Sequence, residues 1–156
     1  MINPHKMKYH DLYWEIARAA ARQSISTRHQ VGAVVVTTTG MLSIGWNGMP
    51  SGLRNECEDR WVTEKNGRRR RKTDPRVIHA EQNALDKMLR QGISTEGAII
   101  FITRAPCFEC AKSMCSLGLK TVYFDEFHDC QRGLDILDDM NIPWLALSSR
   151  EAMEAP

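Results

Sequence analysis

The stretch Ala98-Ile99-Ile100-Phe101-Ile102-Thr103 is an unbroken apolar run, and it leads through Arg104-Ala105 into Pro106-Cys107-Phe108-Glu109-Cys110. A continuous run of this length reads as a strand covered on both faces. Pro106 then opens a helix over 107–117, because its fixed φ and missing N–H suit the first turn. Gly118 stops that helix. A buried strand that feeds straight into a helix is the unit of an α/β fold.

The neighbouring segments extend this unit. Upstream, 77–91 reads as a helix with Ala84, Leu85, Met88 and Leu89 on its inner face, ended by Gly92. Downstream come a strand over 121–124, a helix over 131–140 with Leu134, Ile136 and Leu137 apolar, and a short strand over 144–147. The polar tail, 148–156, is expected to fray. Near the N-terminus, 8–28 reads as an amphipathic helix with Leu12, Ile16, Ala19 and Ala20 inward. The β-branched run 31–37 and the strand 41–46 flank Thr39-Gly40, a hairpin signal. Residues 53–76 are polar and irregular and read as a long excursion. Alternating helices and strands after a hairpin predict a three-layer α/β/α domain over 1–156, with a five-stranded mixed sheet.

Chemistry concentrates in two short pieces, His79-Ala80-Glu81 and Pro106-Cys107-Phe108-Glu109-Cys110. A catalytic zinc takes three protein ligands and keeps a fourth position open. His79, Cys107 and Cys110 supply such a set. Two cysteines three apart at a helix start share a face, and helix N-termini favour thiolates. Glu81 is close enough to reach a water on the metal without being a ligand. It would carry protons for that water, whose pKa zinc lowers. The alternative is a closed structural zinc site, with Cys57, Cys115 or Cys130 as the fourth ligand. In that case Glu81 has no proton to carry.

Composition narrows the classes. The chain of 156 residues is 42% hydrophobic with a net charge of +2, so global charge gives no reason to expect nucleic acid as a partner. No apolar run approaches a membrane span, and residues 1–5 lack a signal-peptide core. The expected location is the cytoplasm, a host's if the source is viral. Five cysteines make no obvious disulfide framework. Cys57, Cys115 and Cys130 are expected as buried free thiols. The one dense basic run, Arg68-Arg69-Arg70-Arg71-Lys72, has no aromatic residue within it.

Several pieces together resemble the cytidine deaminase-like superfamily, and within it the deoxycytidylate deaminases. They are Val31-Gly32-Ala33, Gly45-Trp46-Asn47-Gly48-Met49-Pro50-Ser51-Gly52, His79-Ala80-Glu81 with Asn83-Ala84, and Pro106-Cys107 with Cys110-Ala111-Lys112. The resemblance covers 8–147. The zinc pieces carry the superfamily, and the Asn-Gly-Pro loop carries the branch.

The resemblance implies zinc-dependent hydrolytic deamination of dCMP to dUMP, with water attacking C4 of the cytosine. Glu81 would protonate N3 and then the leaving amine. The Ala80 amide would lie near the cytosine O2, and Asn47 would contact the sugar hydroxyl. Arg28, Arg104 and His128 are candidates for the 5′-phosphate. Arg104 replaces an apolar residue usual in the family, and Phe127 replaces a tyrosine. The resemblance also implies a homohexamer activated by dCTP with Mg²⁺ and inhibited by dTTP. Asn47, Gly48 and Gly52 would then be effector contacts. Two other readings stay open: a nucleic-acid deaminase of the tRNA adenosine type, and a zinc-stapled binding module without catalysis.

Overall fold

The computed structural model describes residues 2–147. The elements in chain order are α1 (His10–Ala21), β1 (Gly32–Val36), β2 (Leu42–Trp46), β3 (Glu58–Thr63), β4 (Arg69–Thr73), α2 (Ala80–Arg90), β5 (Ile99–Arg104), α3 (Phe108–Ser116), β6 (Thr121–Glu126), α4 (Arg132–Asp139) and β7 (Trp144–Ala146). A short 3₁₀ turn, Met7–Tyr9, precedes α1. Five strands form one mixed sheet in the order β2-β1-β5-β6-β7. β1 runs antiparallel to β2 and β5, while β5, β6 and β7 run parallel. The expected five-stranded α/β/α architecture is therefore observed.

Strand periodicity distributes the core. Val34 and Val36 of β1, with Ile99 and Phe101 of β5, pack against Tyr13, Trp14 and Ala17 of α1. The alternate residues Ala33, Val35, Ile100 and Ile102 face the other way. There they meet Ala84, Leu85 and Met88 of α2, Met114 of α3 and Leu137 of α4. Every residue of β1 is buried, as both faces require.

Three expectations need correction. α1 ends at Ala21, not Arg28, and 24–29 is a loop that lines the site. Its inner face is Tyr13, Trp14, Ala17 and Ala20; Leu12 is 51% exposed. Bulky aromatics filled the space over Phe101, which aliphatic periodicity alone did not reveal. Leu89 likewise lies outside the buried face of α2. The excursion at 53–76 contains a β-hairpin, β3 paired antiparallel with β4. Its strands are polar, so no apolar alternation announced them. The frayed tail at 148–156 falls outside the described residues.

Two glycines let the helices approach closely. A Cβ at Gly45 would stand 2.2 Å from the Ala80 carbonyl oxygen, and one at Gly133 would stand 2.1 Å from the Pro106 carbonyl oxygen. Gly45 thus seats the start of α2 on β2. Gly133 seats α4 on the loop that enters α3.

Candidate active site

The parallel strand β5 ends at Arg104, and the chain turns through Ala105 and Pro106 into α3. Cys107 is the N-cap of α3 and His79 is the N-cap of α2. Both are extended, with φ near −69°, and neither side chain caps its own helix. Instead the two side chains turn toward each other. His79 Nδ1 lies 3.5 Å from Cys107 Sγ and 3.4 Å from Cys110 Sγ. Among the described residues, these three are the group whose ligand atoms lie within 4.8 Å of one another.

The electrostatics of the trio fit a bound cation. Hydrogen bonds from Cys110 and His79 hold the Cys107 thiol down to about 3. The Cys110 thiol is driven up by its bond to Cys107 and by burial. Without a cation, the cluster tolerates one thiolate and keeps the second proton. The Cys107 contact also raises His79. A divalent metal would discharge both sulfurs. One nitrogen and two sulfurs match a three-ligand zinc centre that keeps an open position.

Glu81, two residues into the same turn as His79, is only 4% exposed. Burial pushes its carboxyl up to about 7. It therefore exchanges a proton near neutral pH, as an acid–base group requires. No fourth tight ligand joins the trio among the described residues, although the alternative reading called for one. Cys57 is buried and Cys130 is exposed, so the expectation of three buried free thiols is corrected for Cys130.

The trio opens into a cavity of about 330 Å³. Asn47, Ala80, Arg28, Arg104 and His128 all line it, as do His29 and Asp129. Arg104 is 13% exposed and its guanidinium lies 3.3 Å from Asp129, which is 91% exposed. Its buried Nε has no hydrogen-bond partner among the described residues. Arg28 donates to Thr73 Oγ1 at 3.3 Å. His128 Nδ1 accepts the Cys130 amide at 3.0 Å, which leaves Nε2 for another partner. Asn47 accepts the Val31 amide on Oδ1 at 2.9 Å and donates from Nδ2 to the His29 carbonyl at 2.7 Å. One Oδ1 lone pair and one Nδ2 proton remain.

Gly48 and Gly52 do not line this cavity. The Gly48 amide donates to the Ile78 carbonyl, and Ile78 donates back to Gly48. Gly48 is therefore not a free amide donor, contrary to its expected role toward a triphosphate. Gly52 is exposed, with φ +95°.

Sequence reasoning missed the support of the 24–29 loop. Glu58 Oε1 accepts the Ser26 hydroxyl at 2.7 Å and the Thr27 and Arg28 amides at 2.9 and 3.3 Å. Burial pushes the Glu58 carboxyl up, but these donors outweigh it and hold it below its ordinary value. It missed His29 as well. Burial and the nearby Arg104 and Arg28 lower that imidazole, which favours its neutral form. Neither contact has a local sequence signal, since the partners lie about thirty residues apart.

A parallel sheet with a His/Cys/Cys trio and a buried carboxyl at two helix starts defines a zinc deaminase centre. The family model described as the cytidine and deoxycytidylate deaminase zinc-binding region matches residues 7–126. The chain belongs to this family. It is 32% identical over 131 residues to mouse deoxycytidylate deaminase, covering 80% of this chain and 70% of that protein. It is 31% identical to ComE operon protein 2 of Bacillus subtilis, but spans only 61% of that relative's length. A crystal structure of dCMP deaminase from the cyanophage S-TIM5, in complex with dCMP and dUMP, superposes with a TM-score of 0.79 at 34% identity. The match covers 91% of this chain and 98% of that one. No helix among the described residues is long and apolar enough to cross a membrane.

Proposed function

We propose that this chain catalyses hydrolysis of dCMP to dUMP and ammonia, within pyrimidine deoxynucleotide metabolism that leads to dTTP. One observation carries the reading: a single cavity is lined by the metal trio, a buried proton carrier and two guanidiniums. That combination suits a cytosine ring joined to a phosphate. The dCMP- and dUMP-bound relative supports the substrate.

Zinc, held by His79 Nδ1 and the two cysteine sulfurs, supplies the Lewis acidity that makes a water nucleophilic near neutral pH. Glu81 takes a proton from the attacking water and delivers it to the cytosine N3. It then passes a second proton to the amine at C4, which leaves as ammonia. The Ala80 amide, free at the start of α2, donates to the cytosine O2. Asn47 uses its remaining capacity on the sugar hydroxyl. Arg28, Arg104 and His128 hold the 5′-phosphate. The unpartnered Nε of Arg104 supports its part in this.

The proposal extends to control by dCTP with Mg²⁺ as activator and dTTP as inhibitor, in a cytoplasmic homohexamer. The likeness of the Gly45–Gly52 loop to the deoxycytidylate branch supports that extension. The direct test is ammonia release from dCMP, cytidine, dCTP and adenosine-containing RNA, with and without dCTP and Mg²⁺. Turnover of dCMP above the others bears the reading out. Turnover of RNA alone would move the chain to the nucleic-acid branch.

A further inference from the structure

The hairpin of β3 and β4 stands outside the five-stranded sheet. Residues 58–73 carry seven basic and three acidic side chains, a net +4 in a chain of net +2, so the remainder is net −2. Glu58 is turned inward onto the 24–29 loop. Glu64 holds Arg70, while Arg71 donates to the Glu58 carbonyl and lies 4.0 Å from Glu56. Among the described residues, Arg60, Arg68 and Lys72 form no ion pair.

Strand register makes this arrangement more costly than a solvated charge run. Arg60 is paired directly opposite Lys72. Like charges facing each other across a ladder destabilise it. Register also places Trp61 opposite Arg71. Its indole is 60% exposed, and the Arg69 guanidinium lies 5.6 Å from the ring centroid. In sequence the basic run contains no aromatic. In the folded hairpin the two kinds of group are interleaved.

We propose that the β3–β4 hairpin binds single-stranded nucleic acid, with phosphates on Arg60, Arg68 and Lys72 and an unpaired base on Trp61 and Arg69. Phosphates relieve the unpaired cations. An exposed indole beside a guanidinium is a stacking platform for any base whose face is free. At about 3.3 Å per residue, Arg68 to Lys72 spans roughly 13 Å. That length suits successive phosphates more than a single one. The base of the hairpin lies at the cavity, because Thr73 lines it and accepts from Arg28. A bound strand therefore runs beside the cavity mouth, and the role is distinct from deamination.

The test titrates the zinc-loaded full chain into a fluorescein-labelled oligothymidylate long enough to span the hairpin, read by anisotropy. The probe has no cytosine and so contains no substrate. Binding is expected at low salt and to weaken steeply as salt rises. Trp61→Ala should weaken it about tenfold, within the range for a lost base stack, and Trp61→Phe should restore most of it. Joint Arg68→Ser and Lys72→Ser changes should reduce the salt slope by about 1.4, at roughly 0.7 per single-strand phosphate contact. Turnover of dCMP, measured on the same samples, should stay at the wild-type level. Absence of binding at low salt would overturn the proposal. So would affinity untouched by all these variants, or thymidine monophosphate binding as tightly as the oligonucleotide. Variants that changed only the oligomeric state would assign the hairpin to contact between copies instead.

Discussion

His79 and Cys107 occupy the N-cap positions of two separate helices, and Nδ1 of one lies 3.5 Å from Sγ of the other. Neither residue caps its own helix. A metal on this pair and Cys110 joins the starts of α2 and α3, so it bears on stability as well as chemistry. A ligand held at a thousand times its dissociation constant contributes about 4 kcal/mol, or on the order of 10 °C in Tm for a chain of this size. Cys110→Ala should therefore lose zinc, measured by atomic absorption, and melt about that much lower. Wild-type zinc content in this variant would remove Cys110 from the ligand set.

Gly133 touches the same centre from behind. Its missing Cβ makes room for the Pro106 carbonyl and for Cys107. Gly133→Ala should cost about 1–3 kcal/mol through overpacking, and zinc should pass to a chelator faster. An unchanged melting curve with unchanged zinc release would show that the loop yields without consequence.

Arg104 offers a test of phosphate recognition. A charge-assisted hydrogen bond contributes about 1.5–3 kcal/mol, so Arg104→Leu should raise KM for dCMP roughly tenfold or more. Turnover of cytidine, which lacks the phosphate, should barely change. Equal losses on both substrates would mean that Arg104 supports the fold instead of the phosphate.

Asp74 predicts a pH dependence. The Arg76 guanidinium and backbone N–H grip its carboxylate and hold it down to about 2. The unfolded value is about 3.9. A depressed folded value gives stability that is present above about pH 4 and lost as pH falls through about 2. Asp74→Asn should thus be less stable than wild type at neutral pH in urea unfolding. The gap should close between about pH 4 and pH 2. A gap that persists at low pH would assign the loss to something other than the carboxylate charge.

What the sequence made legible followed from local spacing. The helix starts at His79 and Cys107, the covered strand before Pro106 and the antiparallel β1–β2 pair all have signals within a few residues. The contacts that shape the cavity do not. Glu58 reaches Ser26 across thirty-two positions, and only the pairing of β3 with β4 carries it there. Trp61 meets Arg69 for the same reason. The inner face of α1 was misassigned because His10, Tyr13 and Trp14, which carry polar atoms, pack on Phe101. Asn47 was read as a ligand contact, and the structure adds a second duty in bridging Val31 to His29.

The central claim is that Glu81 moves protons over a zinc centre it does not help to hold. The most direct measurement is ammonia release from dCMP by Glu81→Gln, with zinc content and Tm determined on the same sample. The account predicts that turnover falls by about 10²–10⁴-fold or more while zinc and Tm stay near wild type. Undiminished turnover, or loss of zinc along with activity, would contradict it.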